Sequence, residues 1–246
     1  MLESIKRFFA GGAAPAADWS DVAQWAQQRG LGFKRAREGE GFVVDGAMDG
    51  MPWRMEWGPS QRTYIEAREL RIRMELMLPS DMQMLVLSRP LMEALERHVF
   101  ESFTEGAQTQ IDTATPEEMR WLVMFPKVNL NSLPALRSAL GVVASAPATG
   151  LSWLEGPLAA HLERALTQWL QSSRPFVLMT LRGRTYLRMA LVDPDVRDLE
   201  GALSLFETAV QQAMRLAVSH GESGADWPST GTTAWQNYEN DPPPGR

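Results

Sequence analysis

Residues 45–76 read DGAMDGMPWRMEWGPSQRTYIEARELRIRMEL, and the parity of their apolar side chains decides the fold. Positions 70, 72, 74 and 76 are Leu, Ile, Met and Leu, while 69, 71, 73 and 75 are Glu, Arg, Arg and Glu. On a helix those four apolar residues would scatter to opposite sides; on a strand they share one face, so period two wins despite good helix propensities. The same test places Met51, Trp53, Met55 and Trp57 on one face and Arg54 and Glu56 on the other. Adjacent antiparallel strands follow, with Trp and Met in the core. Arg and Glu then lie on a solvated face, where each cross-strand pair of opposite charge contributes about 0.2–1 kcal/mol. The alternation slips near Ala67, because Ile65 has the opposite parity to Leu70, which predicts a bulge between Glu66 and Glu69.

Working outward, GFKRARE and GFVVDGAM precede this stretch, and GEG, DG and GPSQ separate the segments as turns separate the strands of a four-stranded meander. Upstream, DVAQWAQQRG predicts a helix capped by Asp18 or Ser20, with Val22, Trp25 and Ala26 inward and Gly30 as its stop. Downstream, SDMQMLVLSR suits either a buried helical turn or another strand. PLMEALERHVFESFTEG predicts an amphipathic helix with Leu91, Leu95, Val99 and Phe103 inward. In TPEEMRWLVMF, Thr115 stands as N-cap, Pro116 at the first helical position and Glu118 at the capping-box position, and residues 119–125, apolar except Arg120, predict a largely buried helix ending at Pro126.

The stretch NLNSLPALRSALGVVASAPATG is small and turn-rich and reads as a loose, hinge-like connection. Beyond it come a helix from Pro157 with Leu158, Leu162, Leu166 and Trp169 inward, a hairpin turning near Gly183, and a long helix capped by Asp193 or Asp195 with Val196, Leu199, Leu203, Phe206, Val210 and Met214 as its stripe. The predicted fold is α+β, an antiparallel meander plus a second β-hairpin packed with five or six helices. RTYI at 62–65 echoes RTYL at 184–187, which suggests two pseudo-repeated helix–hairpin–helix halves, although the two matches stand at unequal offsets. The organisation reads as a flexible arm over 1–17, one globular region over 18–220 with possible halves 18–128 and 151–220, and a disordered tail over 221–246.

The 246 residues carry 24 basic and 30 acidic side chains, a net charge of -6, which argues against bulk electrostatic binding to nucleic acid or an anionic membrane. Cysteine is absent, so disulfides, thiolate metal sites and cysteine nucleophiles are excluded. Apart from Lys6, Lys34 and Lys127 every basic residue is arginine, the mark of a codon-biased bacterial genome or of bidentate contacts to carboxylate and phosphate. No apolar run reaches the roughly 18 residues of a membrane span, and nothing resembles a strong secretory leader, so the expected location is the cytoplasm.

Searching for chemistry leaves little. His98, His161 and His220 share no metal-ligand spacing, and the first two border apolar helix stripes as structural histidines do. GESG at 221–224 lies outside the strand-to-helix context of a nucleophile elbow, and no phosphate loop is present. Glu56, Glu66, Glu69 and Glu75 sit on or beside the meander, but flanking arginines oppose the raised pKa that a carboxylate-dependent hydrolase needs. Neither a metal nor a cofactor is expected.

Two clusters remain. Arg182, Arg184, Tyr186 and Arg188, with Arg174 nearby, form a basic hairpin suited to gripping an anionic small molecule, a nucleic-acid strand or an acidic peptide, unless acids elsewhere pair with them. Trp227, Trp235 and Tyr238 are unusual in a polar tail and suit docking into a groove of a partner or of this chain. The order helix, meander, helices, hairpin, final helix loosely resembles the small α+β secretion chaperones that hold partner segments on a sheet, with residues 90–150 departing from them. The functional expectation is a non-catalytic, chaperone-like or scaffold module that binds another protein or its own copy, with the anionic ligand as the alternative.

Overall fold

A computed structural model describes residues 18–36, 41–105 and 116–222, with side chains at 102–105 and 220–222 outside the description. In chain order the elements are α1 (Ser20–Gln28), β1 (Gly32–Arg35), β2 (Phe42–Met48), β3 (Met51–Pro59), β4 (Arg68–Glu75), β5 (Met84–Ser88), α2 (Arg89–Glu105), α3 (Glu117–Met124), α4 (Pro134–Arg137), β6 (Leu140–Ala144), α5 (Pro147–Leu154), α6 (Pro157–Gln168), β7 (Phe176–Leu181), β8 (Arg184–Ala190) and α7 (Val196–Glu222). The α+β class holds, with eight strands and seven helices among the described residues, more of each than the sequence predicts.

All eight strands form one antiparallel sheet in the order β1-β2-β3-β4-β8-β7-β5-β6. The meander is therefore present, and the C-terminal hairpin is inserted between it and β5–β6. One face buries Trp53, Met55, Trp57, Ile72, Met74, Leu187 and Phe176 under α1, α5, α6 and α7. Trp57 Nε1 donates to Leu191 O at 2.8 Å and Trp153 Nε1 to Ala209 O at 2.9 Å, so these two buried indoles are satisfied. On the opposite face α2 and α3 cover only one end, where Leu85, Leu87, Val143, Val177 and Met179 pack on Leu91, Met92, Leu95, Met119 and Trp121. The strands at that end are thus buried on both faces, and at the meander end the second face is open.

Several expectations change. SDMQMLVLSR becomes β5, every residue of which is buried, because helices cover both of its faces and remove any alternation. The supposed hinge carries α4, β6 and α5, and β6 is likewise buried throughout. No bulge forms between Glu66 and Glu69: β4 starts at Arg68, residues 60–67 are a loop closed by Ser60 N–H donating to Ala67 O at 3.3 Å, and Ala67 takes φ +60°. RTYI lies in that loop whereas RTYL lies in β8, so the two matches do not occupy equivalent elements. The helix α3 is buried on one side only, with Val123 49% and Met124 63% exposed. Thr115, the arm 1–17 and the tail from 223 lie outside the described residues, as does the Phe103 side chain. The N-cap of α1 is Trp19, with no side-chain cap, and Asp18 just before it accepts from Ser20 N–H at 3.0 Å; at α7, Asp195 Oδ1 accepts from Asp198 N–H at 2.7 Å.

Candidate functional site

Strand register assembles the open face. A single cross-strand row runs Asp45, Arg54, Arg73, Tyr186, Met179, Leu85, polar over the meander and apolar beneath α2 and α3. The row beside it runs Glu56, Arg71, Arg188, Val177. Cross-strand neutralisation is only partly realised: Glu56 faces Arg71, but Arg54 faces Arg73 and Arg71 faces Arg188, and like charges placed directly opposite repel. The compensating carboxylates come along the strands. Glu56 binds Arg54 at 2.5 Å and Arg71 at 3.3 Å; Glu69 binds Arg71 at 3.3 Å and Arg188 at 2.6 Å. Burial pushes the Glu56 carboxyl up, but its bond to Arg54 and the charges of Arg54, Arg71 and Arg73 outweigh this and hold it below the usual carboxylate range.

Glu69 is fully buried and also accepts from Gln61 N–H at 2.8 Å, so it pins one end of the 60–67 loop to the sheet. The other end is held by Glu118. Arg62 Nε donates to Glu118 Oε1 at 2.6 Å, Tyr64 OH donates to the same oxygen, and Oε2 has no partner among the described residues. Glu118, placed by the sequence at a capping-box position, reaches sideways from α3 to the loop. Burial raises its pKa, but Arg62 and the hydrogen bonds from Tyr64 and Arg62 more than offset this and leave it lowered. Burial and the adjacent Glu118 charge push the Tyr64 hydroxyl far up, so it stays a donor. The nearest sequence signal for this node is the parity slip at Ala67, which marks a loop without naming its anchor.

The four arginines of the basic hairpin do not converge on one point. Arg174 pairs with Asp198 at 3.4 Å, Arg188 with Glu69, Arg184 with Glu75 at 2.9 Å, and Arg182 lies 3.8 Å from Glu117. The structure brings Arg182, Arg184 and Tyr186 to one end of the open face, around a groove of about 560 Å³ that Met51, Met77 and Leu181 also line. Two smaller hollows of about 280 and 80 Å³ lie along the face, and Arg54, Glu56 and Arg71 line both. Arg73 differs from its neighbours: it is exposed on β4 and has no carboxylate partner among the described residues. Among the described residues of the open face, the loop and the start of α3, eight arginines (54, 62, 71, 73, 120, 182, 184, 188) and Lys34 meet six glutamates (56, 66, 69, 75, 117, 118) and Asp45. In a chain of net charge -6 this face is locally cationic.

Of the acids weighed for hydrolysis, Glu56, Glu69 and Glu75 hold arginines and Glu66 is exposed on the loop. His161 Nδ1 lies 2.9 Å from Thr208 Oγ1, with burial and then Arg164 lowering its pKa, while His98 is exposed. No group of three or more potential metal ligands occurs among the described residues, and no described helix is long and apolar enough to cross a membrane. Trp227, Trp235 and Tyr238 lie outside the described residues.

No family model matches the chain, and no curated protein matches it. Among solved structures it is similar to the crystal structure of the mycobacterial trehalose monomycolate transport factor A, at a TM-score of 0.44 and 9% identity over 80% of this chain and 93% of that one. A likeness this distant carries no argument about what the chain does.

Proposed function

We propose that this chain is a non-catalytic binding module of the cytoplasm whose recognition surface is the open sheet face, and that its occupant is an acidic segment of another polypeptide. The observation that carries the reading is Arg73, an exposed guanidinium in the middle of the face with Arg54 and Tyr186 directly across from it and no carboxylate in ion-pair contact among the described residues. Arg73 lies beside like charge, offset through space by Glu56, which Arg54 and Arg71 already hold; a carboxylate bound at Arg73 gains charge-assisted hydrogen bonds and relieves repulsion at the same time. Nucleic acid suits the face less well, because six glutamates and Asp45 interleave with the arginines and a phosphate backbone carries charge at every step. Spaced carboxylates in a peptide can meet the arginines and miss the glutamates. The open face runs across β2, β3, β4 and β8, and a chain laid across strands about 4.8 Å apart can follow its rows.

Calorimetric titration of the full chain with 12-residue peptides tests this. A peptide with alternating Asp or Glu is expected to bind, more weakly as salt rises, and its lysine counterpart is not. Arg73→Glu combined with Arg182→Glu removes two cations that hold no close ion pair, so binding is expected to fall at least tenfold with the melting temperature little changed. Equal binding by that variant overturns the reading.

A further inference from the structure

We infer that residues 223–246 of this chain are a built-in occupant of the open face, so that the module is self-covered until an acidic partner competes. The inference rests on the reading of that face as acid-binding. Three observations carry it.

The first is charge. The segment holds Asp226, Glu239 and Asp241 and no basic residue before Arg246, against a face on which eight arginines and Lys34 meet six glutamates and Asp45. The second is side-chain type. Trp235, Tyr238, Glu239 and Asp241 stand within seven residues, so aromatic rings and carboxylates come together. Guanidinium groups take both: they stack on aromatic faces and fork onto carboxylates. Trp235 and Tyr238 are three residues apart, about 10 Å in an extended chain, and two strand spacings, the step from Arg54 across Arg73 to Tyr186, also come to about 10 Å. The third is reach. Beyond Glu222, where α7 ends on the opposite side of the sheet, 24 residues follow. Extended they span at most about 80 Å, against a diameter of roughly 45 Å for a compact chain of this size. A tethered ligand of that length acts at a local concentration of about a millimolar, so weak contacts suffice to hold it.

Because the chain has no cysteine, Ser229→Cys gives the full-length protein a single site for a spin label. Paramagnetic broadening is expected at the backbone amides of Arg73 and Tyr186 and not at those of α5 and α6, and Arg73→Glu with Arg182→Glu is expected to remove it. Broadening that appears only when labelled and isotope-enriched molecules are mixed assigns the contact to a second copy and overturns the inference, as does broadening that spares β4 and β8. Competition supplies an independent readout: Trp235→Ala with Tyr238→Ala in the full chain is expected to tighten binding of the acidic peptide at least fivefold. If that peptide binds both chains equally, the self-covering inference fails and the acid-binding face stands. If it binds neither, the reading of the face fails.

Discussion

Arg182 takes φ +49° and Gly183 φ +74°, so both central residues of the β7–β8 turn lie in the left-handed region. The β2–β3 turn has the same form with Asp49 at +50° and Gly50 at +77°, and that Asp-Gly pair is what such two-residue hairpins favour. Arginine is a poor occupant of the first position, at a cost of about 1 kcal/mol relative to Asn or Gly. Its one ion pair, at 3.8 Å to Glu117 from a side chain 72% exposed, offsets little of that. Arg182→Asn is therefore expected to raise the melting temperature while weakening binding of the acidic peptide, a split read by thermal denaturation beside titration. A lower melting temperature would mean that the arginine supports the fold, and its assignment to recognition would lose its basis. At this scale the sequence was a good guide to which cations sit in the hairpin and a poor one to their partners. Glu69 holds Arg71 two positions away, but it is distant in the chain from Arg188, as Glu118 is from Arg62, and nothing in local spacing announces a pair across 119 or 56 positions.

The loop between β3 and β4 and the helix α3 behave as one clamp, because Gln61 is tied to Glu69 and both Arg62 and Tyr64 are tied to Glu118. Removing one member of a buried pair leaves the other unpaired, so Glu118→Gln is expected to cost about 3 kcal/mol at neutral pH. The folded pKa of Glu118 lies below its ordinary 4.5, so its contribution is complete above that value and is lost as pH falls through the lower folded value. The gap in urea midpoint between wild type and Glu118→Gln should accordingly be widest at pH 7 and shrink below pH 4.5; a gap independent of pH would remove the clamp. Elements with one wet face were legible: β3 and β4 alternate, α6 and α7 carry clean stripes, and all four appear where the pattern puts them. Elements covered on both sides, β5 and β6, have no alternation to read, so one stayed ambiguous and the other passed for a hinge.

Taken as a whole, the sheet ties early and late chain together, since seven residue pairs join β4 to β8 and the same hairpin pairs with β5 through β7. The core under α1, α5, α6 and α7 likewise mixes residues from Val22 to Ala213. Residues 18–128 and 151–220 are therefore expected to unfold in one transition, with tryptophan near-ultraviolet dichroism and far-ultraviolet dichroism tracing the same curve; two separated transitions would mean independent halves. Local period and turn chemistry were sufficient to determine the α+β class, the four-stranded meander, the inward Trp53 and Trp57 and the arginine-rich outer face, because each depends only on neighbours a few residues away. Strand order, the burial of Glu69 and Glu118, and the position of Arg73 beside Arg54 and Tyr186 were decided by tertiary structure, because pairing between distant strands follows from how the whole apolar surface is covered and leaves no trace in the spacing of any one segment.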